Sequence, residues 1–400
     1  MKRTLLASLA LTLPTLGLAE AQLIVRLQPG VDPAAVALRD GVVLRGTTPN
    51  APFALYGVTS GTATAAQARL QADQTNVVWA EDNAEAQSPE SAAARPAVPQ
   101  KGSSLSVVGG HDQLVAQNAN ALAQVDWSAA LAGTPGRTVR LAILDTGLSR
   151  RQAGLWAKVD ASLDATGGNA DDAPVGLDSN GNGVPDEAVG HGTMVAGIAD
   201  AVAPYVRLVV AKVADSDGRA TAWSIVQGLA FAANSGAEVA NLSLGSAAPI
   251  AAFNDVAEWC ESKGLLVVAP AGNAGTEGAW YPARSSKALC VVGLDANDVL
   301  APFSNWDGST ISAAPAVGLT SGWWDGGLAS WSGTSFAAPF VSAGLADCLR
   351  RTSPRRPKDL VKVVGDSGVK IDTLNDKRVK AKIGTLLDLV SLDRKLRSGK

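Results

Sequence analysis

The chain has 400 residues, of which 46% are hydrophobic and 18% are charged, and its formal net charge at pH 7 is −3. This length and composition predict a large core and more than one domain, and the slight negative charge argues against nucleic acid as the main partner. The three cysteines, Cys260, Cys290 and Cys348, are too few for a disulfide scaffold. We interpret them as buried free thiols, although their pairing stays open at this point.

Residues 1–21 have the pattern of a secretory signal peptide. A basic start precedes an apolar run from Leu5 to Leu18, and Ala19-Glu20-Ala21 fits a cleavage site. A membrane anchor is the alternative, but the run is short and Pro14 interrupts it. Since no later run is long enough for a transmembrane helix, we expect a secreted protein, extracellular or periplasmic, with no membrane partner.

Residues 22–84 are predicted to form a small domain. Strand patterns at 23–27, 42–44, 53–58 and 77–80 alternate with helical patterns at 32–39 and 62–73. The order β-α-β-β-α-β predicts a ferredoxin-like α+β fold. Residues 85–114 then lack an apolar period and are interpreted as a mobile linker that is open to proteolysis.

The rest of the chain, 115–400, alternates strands with helices. Apolar strand patterns lie at 139–144, 207–213, 239–244, 265–269 and 289–292, with helical patterns between several of them. Such alternation predicts an α/β domain with a parallel β-sheet flanked by helices. Ligands of such sheets bind at the carboxyl ends of the strands, where Asp145, Ser243 and Asn273 fall. The basic last fifty residues keep apolar helical spacing and are interpreted as part of the same domain.

Ser335 lies where a glycine-containing turn meets a small-residue helical pattern, in Ser332-Gly333-Thr334-Ser335-Phe336-Ala337-Ala338-Pro339. The start of a helix offers free N–H groups and the positive end of the dipole, which suit an oxygen that becomes negative during acyl transfer. We expect Pro339 to lie close to the first turn, where its missing N–H costs little. A simple helix cap is the alternative for Ser335.

A base for Ser335 must be one of the two histidines, His111 or His191. His191 lies in Gly190-His191-Gly192-Thr193, a loop that enters a small-residue helix, and Asp145 at the end of a strand is a candidate to orient its ring. Taken singly, each residue also has a structural explanation.

In chain order, the motifs Asp145-Thr146-Gly147, His191-Gly192-Thr193 and Ser332 to Pro339 resemble the subtilisin family of serine peptidases. The resemblance covers nearly the whole chain. It implies that Asp145, His191 and Ser335 form the catalytic triad. It also implies that residues 22–84 are an inhibitor-like propeptide and 85–114 contain the processing site.

The same resemblance assigns further site residues. Ala271-Gly272-Asn273 is similar to the segment whose asparagine amide completes an oxyanion hole with the N–H of Ser335. The stretch Ser243-Leu244-Gly245 is similar to a strand that binds substrate by β-augmentation, with Gly218 on the opposite side. Trp280 lies near the position that often lines the primary specificity pocket. Our hypothesis is a partly filled pocket that prefers small apolar side chains, and core packing is the alternative for Trp280.

The loop 178–187 has acids and amides at alternate positions and a glycine at the sixth, as in the first half of an EF-hand-like loop. Asp178, Asn180, Asn182 and Asp186 are candidate ligands of a structural calcium ion, while the chemistry itself needs no cofactor. The glutamate expected at the twelfth position is missing. A solvated acidic loop is therefore the alternative.

Together these features predict a secreted, auto-processed serine endopeptidase that acts on polypeptides as a monomer, with its own propeptide as an intramolecular inhibitor. A non-catalytic binding protein on the same scaffold and an esterase with the same triad are the alternatives. A complete triad argues against the first, and strand-like binding segments argue against the second.

Overall fold

The computed structural model describes residues 20–91, 100–101 and 110–398. The predicted signal peptide therefore lies outside the described residues except for its last two positions. The first unit contains β1 (Ala21–Leu27), α1 (Pro33–Asp40), β2 (Val43–Thr47), β3 (Phe53–Val58), α2 (Ala63–Ala72) and β4 (Val77–Asp82). Its strands form an antiparallel sheet in the order β2-β3-β1-β4, which confirms the ferredoxin-like prediction.

The sheet of this first unit is buried on both faces because its strands alternate between two apolar clusters. Leu23 and Val25 face helices α1 and α2 in the unit's own core. Ile24, Phe53 and Leu55 instead join a cluster of the larger domain that contains Phe253. The period of two along a strand therefore explains why the first unit both folds on itself and docks on the rest of the chain.

The remaining elements follow in chain order. They are β5 (Glu85–Gln87), β6 (Gln100–Lys101), α3 (Gly110–Gln117), α4 (Ala119–Gln124), α5 (Ala129–Ala132), β7 (Arg140–Asp145), α6 (Ala153–Trp156), β8 (Val159–Asp164), α7 (His191–Val202), β9 (Arg207–Lys212), β10 (Arg219–Thr221), α8 (Ala222–Asn234), β11 (Val239–Leu242), α9 (Ala251–Ser262), β12 (Leu266–Pro270), β13 (Ala288–Leu294), β14 (Thr310–Pro315), β15 (Leu319–Gly322), β16 (Leu328–Trp331), α10 (Thr334–Leu349), α11 (Pro357–Ser367), β17 (Thr385–Leu386) and α12 (Leu389–Ser398).

The larger domain is built on a parallel sheet of eight strands in the order β17-β14-β13-β12-β11-β7-β9-β8. Along β7, Leu141 and Ile143 belong to the apolar cluster that holds α7 and α10, whereas Ala142 and Leu144 belong to the cluster that holds α8 and α9. Helices thus cover both faces, as predicted. The basic C-terminal stretch supplies α11, β17 and α12, and β17 pairs with β14.

The linker prediction for 85–114 needs correction in its described parts. Glu85–Gln87 is a strand that pairs antiparallel with β10, and Ser88 and Glu90 are buried. Helix α3 begins at Gly110, so the predicted boundary at residue 115 falls inside a helix. Residues 85–91 are ordered without an apolar period of their own, because the larger domain supplies their hydrogen bonds and buries them.

The first unit also completes a helix of the larger domain. Helix α9 has no side-chain cap of its own, but both carboxylate oxygens of Glu81 accept hydrogen bonds there, from Ala252 N at 2.6 Å and Ala251 N at 3.0 Å. A carboxylate at a helix N-terminus satisfies free donors and the helix dipole. The first unit therefore supplies the N-terminal cap of α9.

Cys260, Cys290 and Cys348 are free and buried, which agrees with their interpretation as buried thiols. Burial raises the pKa of all three. Among the described residues, no helix has the length and apolar character needed to cross a lipid bilayer.

Candidate active site

The site is centred on the buried pair of Asp145 and His191. Asp145 is the last residue of β7 and His191 is the first residue of α7, so the end of a central strand meets the start of a helix. His191 Nδ1 lies 2.6 Å from Asp145 Oδ1, which also accepts a hydrogen bond from Thr146 N at 2.8 Å. Both side chains are fully buried. The second histidine, His111, instead contacts the backbone oxygen of Asp200.

Small residues and a second aspartate hold the start of α7 in place. A Cβ added to Gly192 would lie 2.3 Å from Gly147 O, so the close approach of the two loops requires glycine there. Asp172, which is 1% exposed, accepts hydrogen bonds from Gly190 N and Thr193 N at 3.0 Å each. These contacts fix the position of His191 from both sides.

Ser335 lies in the first turn of α10, a helix whose residues are all buried. Pro339 is the sixth residue of this helix, so the expectation that it lies close to the first turn was wrong. A proline in the helix interior leaves the carbonyl four residues earlier without its usual donor. That carbonyl belongs to Ser335, and Ser243 Oγ donates to it at 2.9 Å. Ser243 therefore repairs the helix next to the reactive hydroxyl.

Asn273 is oriented by the residue that precedes Ser335. Its Oδ1 accepts hydrogen bonds from Thr334 N at 2.9 Å and Thr334 Oγ1 at 2.8 Å. Its Nδ2 is thereby directed into the site as a donor. The N–H of Ser335 is one of the first donors of α10, which have no acceptor inside the helix. These are the two donors that the resemblance assigned to an oxyanion.

Glu90, which no sequence pattern singled out, lies between these groups. Its Oε2 accepts a hydrogen bond from Ser335 Oγ at 2.7 Å and lies 3.0 Å from His191 Nε2. Its Oε1 accepts from Asn273 Nδ2 at 2.8 Å. The carboxylate of Glu90 therefore separates the base from the hydroxyl in this structure.

The charges of the site stabilise one another. Burial alone would lower the pKa of His191, but Asp145 and Glu90 outweigh burial and raise it to about 10. Burial would raise the pKa of Glu90, yet contacts with His191, Ser335 and Asn273 lower it overall. Burial raises the pKa of Asp145 despite the opposing contact with His191. With Glu90 in place, the ring of His191 is therefore an imidazolium held between the carboxylates of Asp145 and Glu90.

The cleft binds the chain's own residues 85–88 as an extended strand. Gln87 exchanges two backbone hydrogen bonds with Gly245, at 2.9 and 3.0 Å, and Ser88 N donates to Gly218 O at 2.9 Å. Gly218 and Gly245 thus stand on opposite sides of a bound strand, where the resemblance placed them. Leu244, between Ser243 and Gly245, is buried.

Trp280 lies against the segment that carries Asn273. Its backbone N–H donates to Ala271 O at 2.9 Å. Its side chain is largely buried, and a Cβ on Gly272 would come within 2.9 Å of its ring. The ring therefore packs against the segment that carries Asn273, as the core-packing alternative expects, and its part in a specificity pocket stays a prediction. The preference for small apolar side chains stays a prediction.

The loop 178–187 turns its polar groups onto itself. The carboxylate of Asp178 accepts from Asn182 N and Gly183 N, and the amide nitrogens of Asn180 and Asn182 face Glu187. Asp186 points elsewhere, toward the N–H groups of residues 175–177. The structure therefore brings together three of the four predicted ligands. The described part of the chain contains no cluster of three His, Cys, Asp or Glu residues suited to a metal ion.

Sequence reasoning missed several residues that shape the site. Asp172 and Thr334 act through buried hydrogen bonds. Thr334 belongs to the motif from Ser332 to Pro339, but the motif did not indicate that it would donate to Asn273. The ring of His191 also lies 5.6 Å from Trp331 and 5.2 Å from Phe336, measured between centroids. These two rings limit the motion of the imidazole.

Comparisons with known proteins agree with this geometry. A family model described as "Subtilase family" matches residues 136–364. Subtilisin BL of Lederbergia lenta is 37% identical over 231 residues, which are 56% of this chain and 80% of that protein. Alkaline elastase YaB of Bacillus sp. (strain YaB) is 37% identical over 231 residues, and these span 57% of its length.

One solved structure extends the likeness of fold to nearly the whole chain. Fervidolysin from Fervidobacterium pennivorans, described as a keratinolytic enzyme related to subtilisin, superimposes with a TM-score of 0.72. The match covers 94% of this chain and 61% of that one at 17% identity. At this identity the likeness supports the fold alone.

Proposed function

The chain belongs to the subtilase family and is a serine endopeptidase, and we propose that Ser335, His191 and Asp145 carry out its chemistry. The observation that carries the assignment is a single buried cluster. In it Asp145 contacts His191 Nδ1 at 2.6 Å, while His191 Nε2 and Ser335 Oγ reach the same oxygen of Glu90. Once Glu90 leaves, Nε2 and the hydroxyl face each other.

The proposed reaction begins with attack of Ser335 Oγ on a peptide carbonyl carbon. His191 Nε2 takes the hydroxyl proton, and Asp145 stabilises the imidazolium that forms. Asn273 Nδ2 and Ser335 N donate to the carbonyl oxygen as it becomes negative. His191 then gives the proton to the leaving amine, and the C–N bond breaks. Water, activated by the same imidazole, hydrolyses the acyl-enzyme and restores Ser335.

We propose that substrates are polypeptides bound as a strand between Gly218 and Gly245. The binding of residues 85–88 supports this, because backbone hydrogen bonds there make little demand on sequence. Trp280 borders this region and supports a preference for small apolar side chains. Cleavage of a peptide library tests it, and a preference for large aromatic residues would contradict it.

We propose that the protein is exported as a monomeric precursor. The pattern of residues 1–21 supports export. The docking of the ferredoxin-like unit on α8 and α9, with its following strand in the cleft, supports the role of 22–84 as an inhibitory propeptide.

Calcium binding by the loop 178–187 stays a proposal. Asp178, Asn180 and Asn182 are close together, and Glu187 rather than Asp186 is the acid beside them. Rearrangement of these side chains around one ion would stabilise the loop that precedes His191. Calorimetry with calcium and with chelator tests this, and an identical unfolding temperature in both would contradict it.

Replacing Asn273 by alanine should lower kcat by about 10²–10³, the magnitude known for this donor in a subtilisin and taken over from that relative. KM should change little, because the amide contacts the developing oxyanion. Steady-state kinetics with a chromogenic peptide check this. Asn297→Ala, in an exposed turn, is the matched control and should match the wild type.

The proposed function as a whole is tested by hydrolysis of casein. The purified protein should degrade casein, and a serine-directed inhibitor should stop it. Hydrolysis of simple esters without hydrolysis of casein would favour the esterase alternative.

A further inference from the structure

Glu90 fills the place that the proposed function gives to the reacting carbonyl. Its carboxylate makes hydrogen-bonding contacts with three groups of the proposed site, namely Ser335 Oγ at 2.7 Å, His191 Nε2 at 3.0 Å and Asn273 Nδ2 at 2.8 Å. Only 2% of Glu90 is exposed. The site thus binds a side-chain carboxylate with three donors that would otherwise serve the reaction.

The backbone around Glu90 does not follow the path of a substrate. The strand-like binding ends at Ser88, and Pro89 has no N–H with which to continue it. Ser91 N then donates to Ser88 Oγ at 3.2 Å, and the two hydroxyls lie 2.7 Å apart. The chain therefore turns at residues 88–91 and presents a side chain to Ser335 instead of a peptide group.

Two glycines give this turn the room that it needs. A Cβ on Gly333 would lie 1.9 Å from Glu90 Oε1. A Cβ on Gly218 would lie 2.6 Å from Ser91 Oγ and 2.7 Å from Ser88 Oγ. Any larger residue at either position would displace the turn or its carboxylate.

We propose that Glu90 is an internal carboxylate inhibitor of this site, and that its release is linked to the loss of one proton from His191. The chain is then blocked near neutral pH and unblocked at alkaline pH. The inference rests on the proposed function, because it takes His191 as the base and Ser335 as the nucleophile.

The groups around His191 determine the direction of this pH dependence. Asp145 faces Nδ1 from β7, Glu90 faces Nε2 from the turn, and Asp172 lies behind the start of α7. Ser335, Trp331 and Phe336 add no charge. Removal of Glu90 takes away one of the two carboxylates that contact the ring, so the pKa of His191 is lower in the open site than in the blocked one.

The sign of the linkage follows. With Glu90 in place the pKa of His191 is raised to about 10. Blocking therefore has its full strength below the lower pKa of the open site, and it is lost as the pH rises from there toward about 10. The loss is at most about tenfold per pH unit. Glu90, whose pKa is lowered overall by its three partners against the effect of burial, loses its charge only in acid. Release at moderate pH therefore occurs on the alkaline side.

The test is the rate at which a fluorophosphonate labels the intact full chain, whose mass is checked before each run. Glu90→Gln keeps the shape of the side chain but removes its charge. At about pH 7 this variant should be labelled about 100-fold faster than the wild type, the scale expected for losing a buried hydrogen-bonded charge pair. The ratio of the two rates should fall toward one near pH 10. Asp82→Asn, which changes an exposed carboxylate at the end of β4, should be labelled at the wild-type rate at every pH.

Equal rates for Glu90→Gln and wild type at about pH 7 would overturn the inference, and so would a ratio that does not change with pH. If Glu90→Gln shows no cooperative thermal transition, Glu90→Ala takes its place with the same expectations. Absence of labelling in every variant at every pH, together with absence of casein hydrolysis, would overturn the proposed function and the inference with it. Labelling and casein hydrolysis that are present but insensitive to Glu90 overturn the inference alone.

Discussion

Replacing Ser335 by alanine is expected to lower kcat for peptide hydrolysis by about 10⁶. This magnitude is the one known for the nucleophile of a subtilisin and is taken over from that relative. The hydroxyl is the only group of the cluster that can form the acyl bond, since Asn273 and the N–H of Ser335 serve only as donors. The residual rate reflects binding and the oxyanion donors.

The same variant should keep its propeptide. If cleavage within residues 85–114 is an intramolecular reaction of this site, Ser335→Ala accumulates as a full-length precursor on a denaturing gel. Ser332→Ala is the matched control, because Ser332 belongs to the same turn and its Oγ only accepts a hydrogen bond from Gly318 N at 2.9 Å. Maturation of Ser335→Ala at the normal rate would argue against self-cleavage.

Replacing Asp145 by asparagine is expected to lower kcat by about 10⁴. The asparagine keeps the shape of the side chain. However, it removes the negative charge that stabilises the imidazolium. It also replaces one of the two carboxylate acceptors by an N–H donor, which weakens the hold on the proton at His191 Nδ1. Since Asp145 raises the pKa of His191, its loss should also move the acid limb of the kcat/KM profile to lower pH. Steady-state kinetics across a pH series measure both effects.

Asp126→Asn is the control for this prediction. Asp126 is exposed and has a positive φ of 53°, a conformation that asparagine adopts readily, so folding and activity should be unchanged. An Asp145→Asn enzyme within tenfold of the wild type would show that Asp145 only supports the fold.

Much of the architecture could be predicted because local patterns and tertiary structure agree. The strand at 53–58 was predicted with the bounds that the structure gives to β3. The alternation of strands and helices after residue 115 predicted the parallel sheet, and Asp145 and Asn273 were predicted to lie at the carboxyl ends of its strands, where the structure has them. The motif around His191 favoured it over His111, and of these two histidines His191 is the one that lies against Asp145.

The parts that could not be predicted depend on contacts between distant segments. Glu90 lies in a stretch with no apolar period. Its partners in the structure, His191, Ser335 and Asn273, are all more than a hundred positions away in the sequence. Pro339 was placed too early in its helix, because sequence rules do not foresee that Ser243 supplies the donor that proline lacks. The acidic loop suggested four ligands, but backbone turns direct Asp186 away from the other three.

Mapping a covalent adduct shows whether Ser335 is the nucleophile. The purified protein is treated with a fluorophosphonate at alkaline pH, digested with trypsin and sequenced by mass spectrometry. We expect one adduct per chain, on Ser335, with loss of casein hydrolysis in proportion to labelling. An adduct on another residue that abolishes activity, or full activity in protein labelled at Ser335, would contradict it.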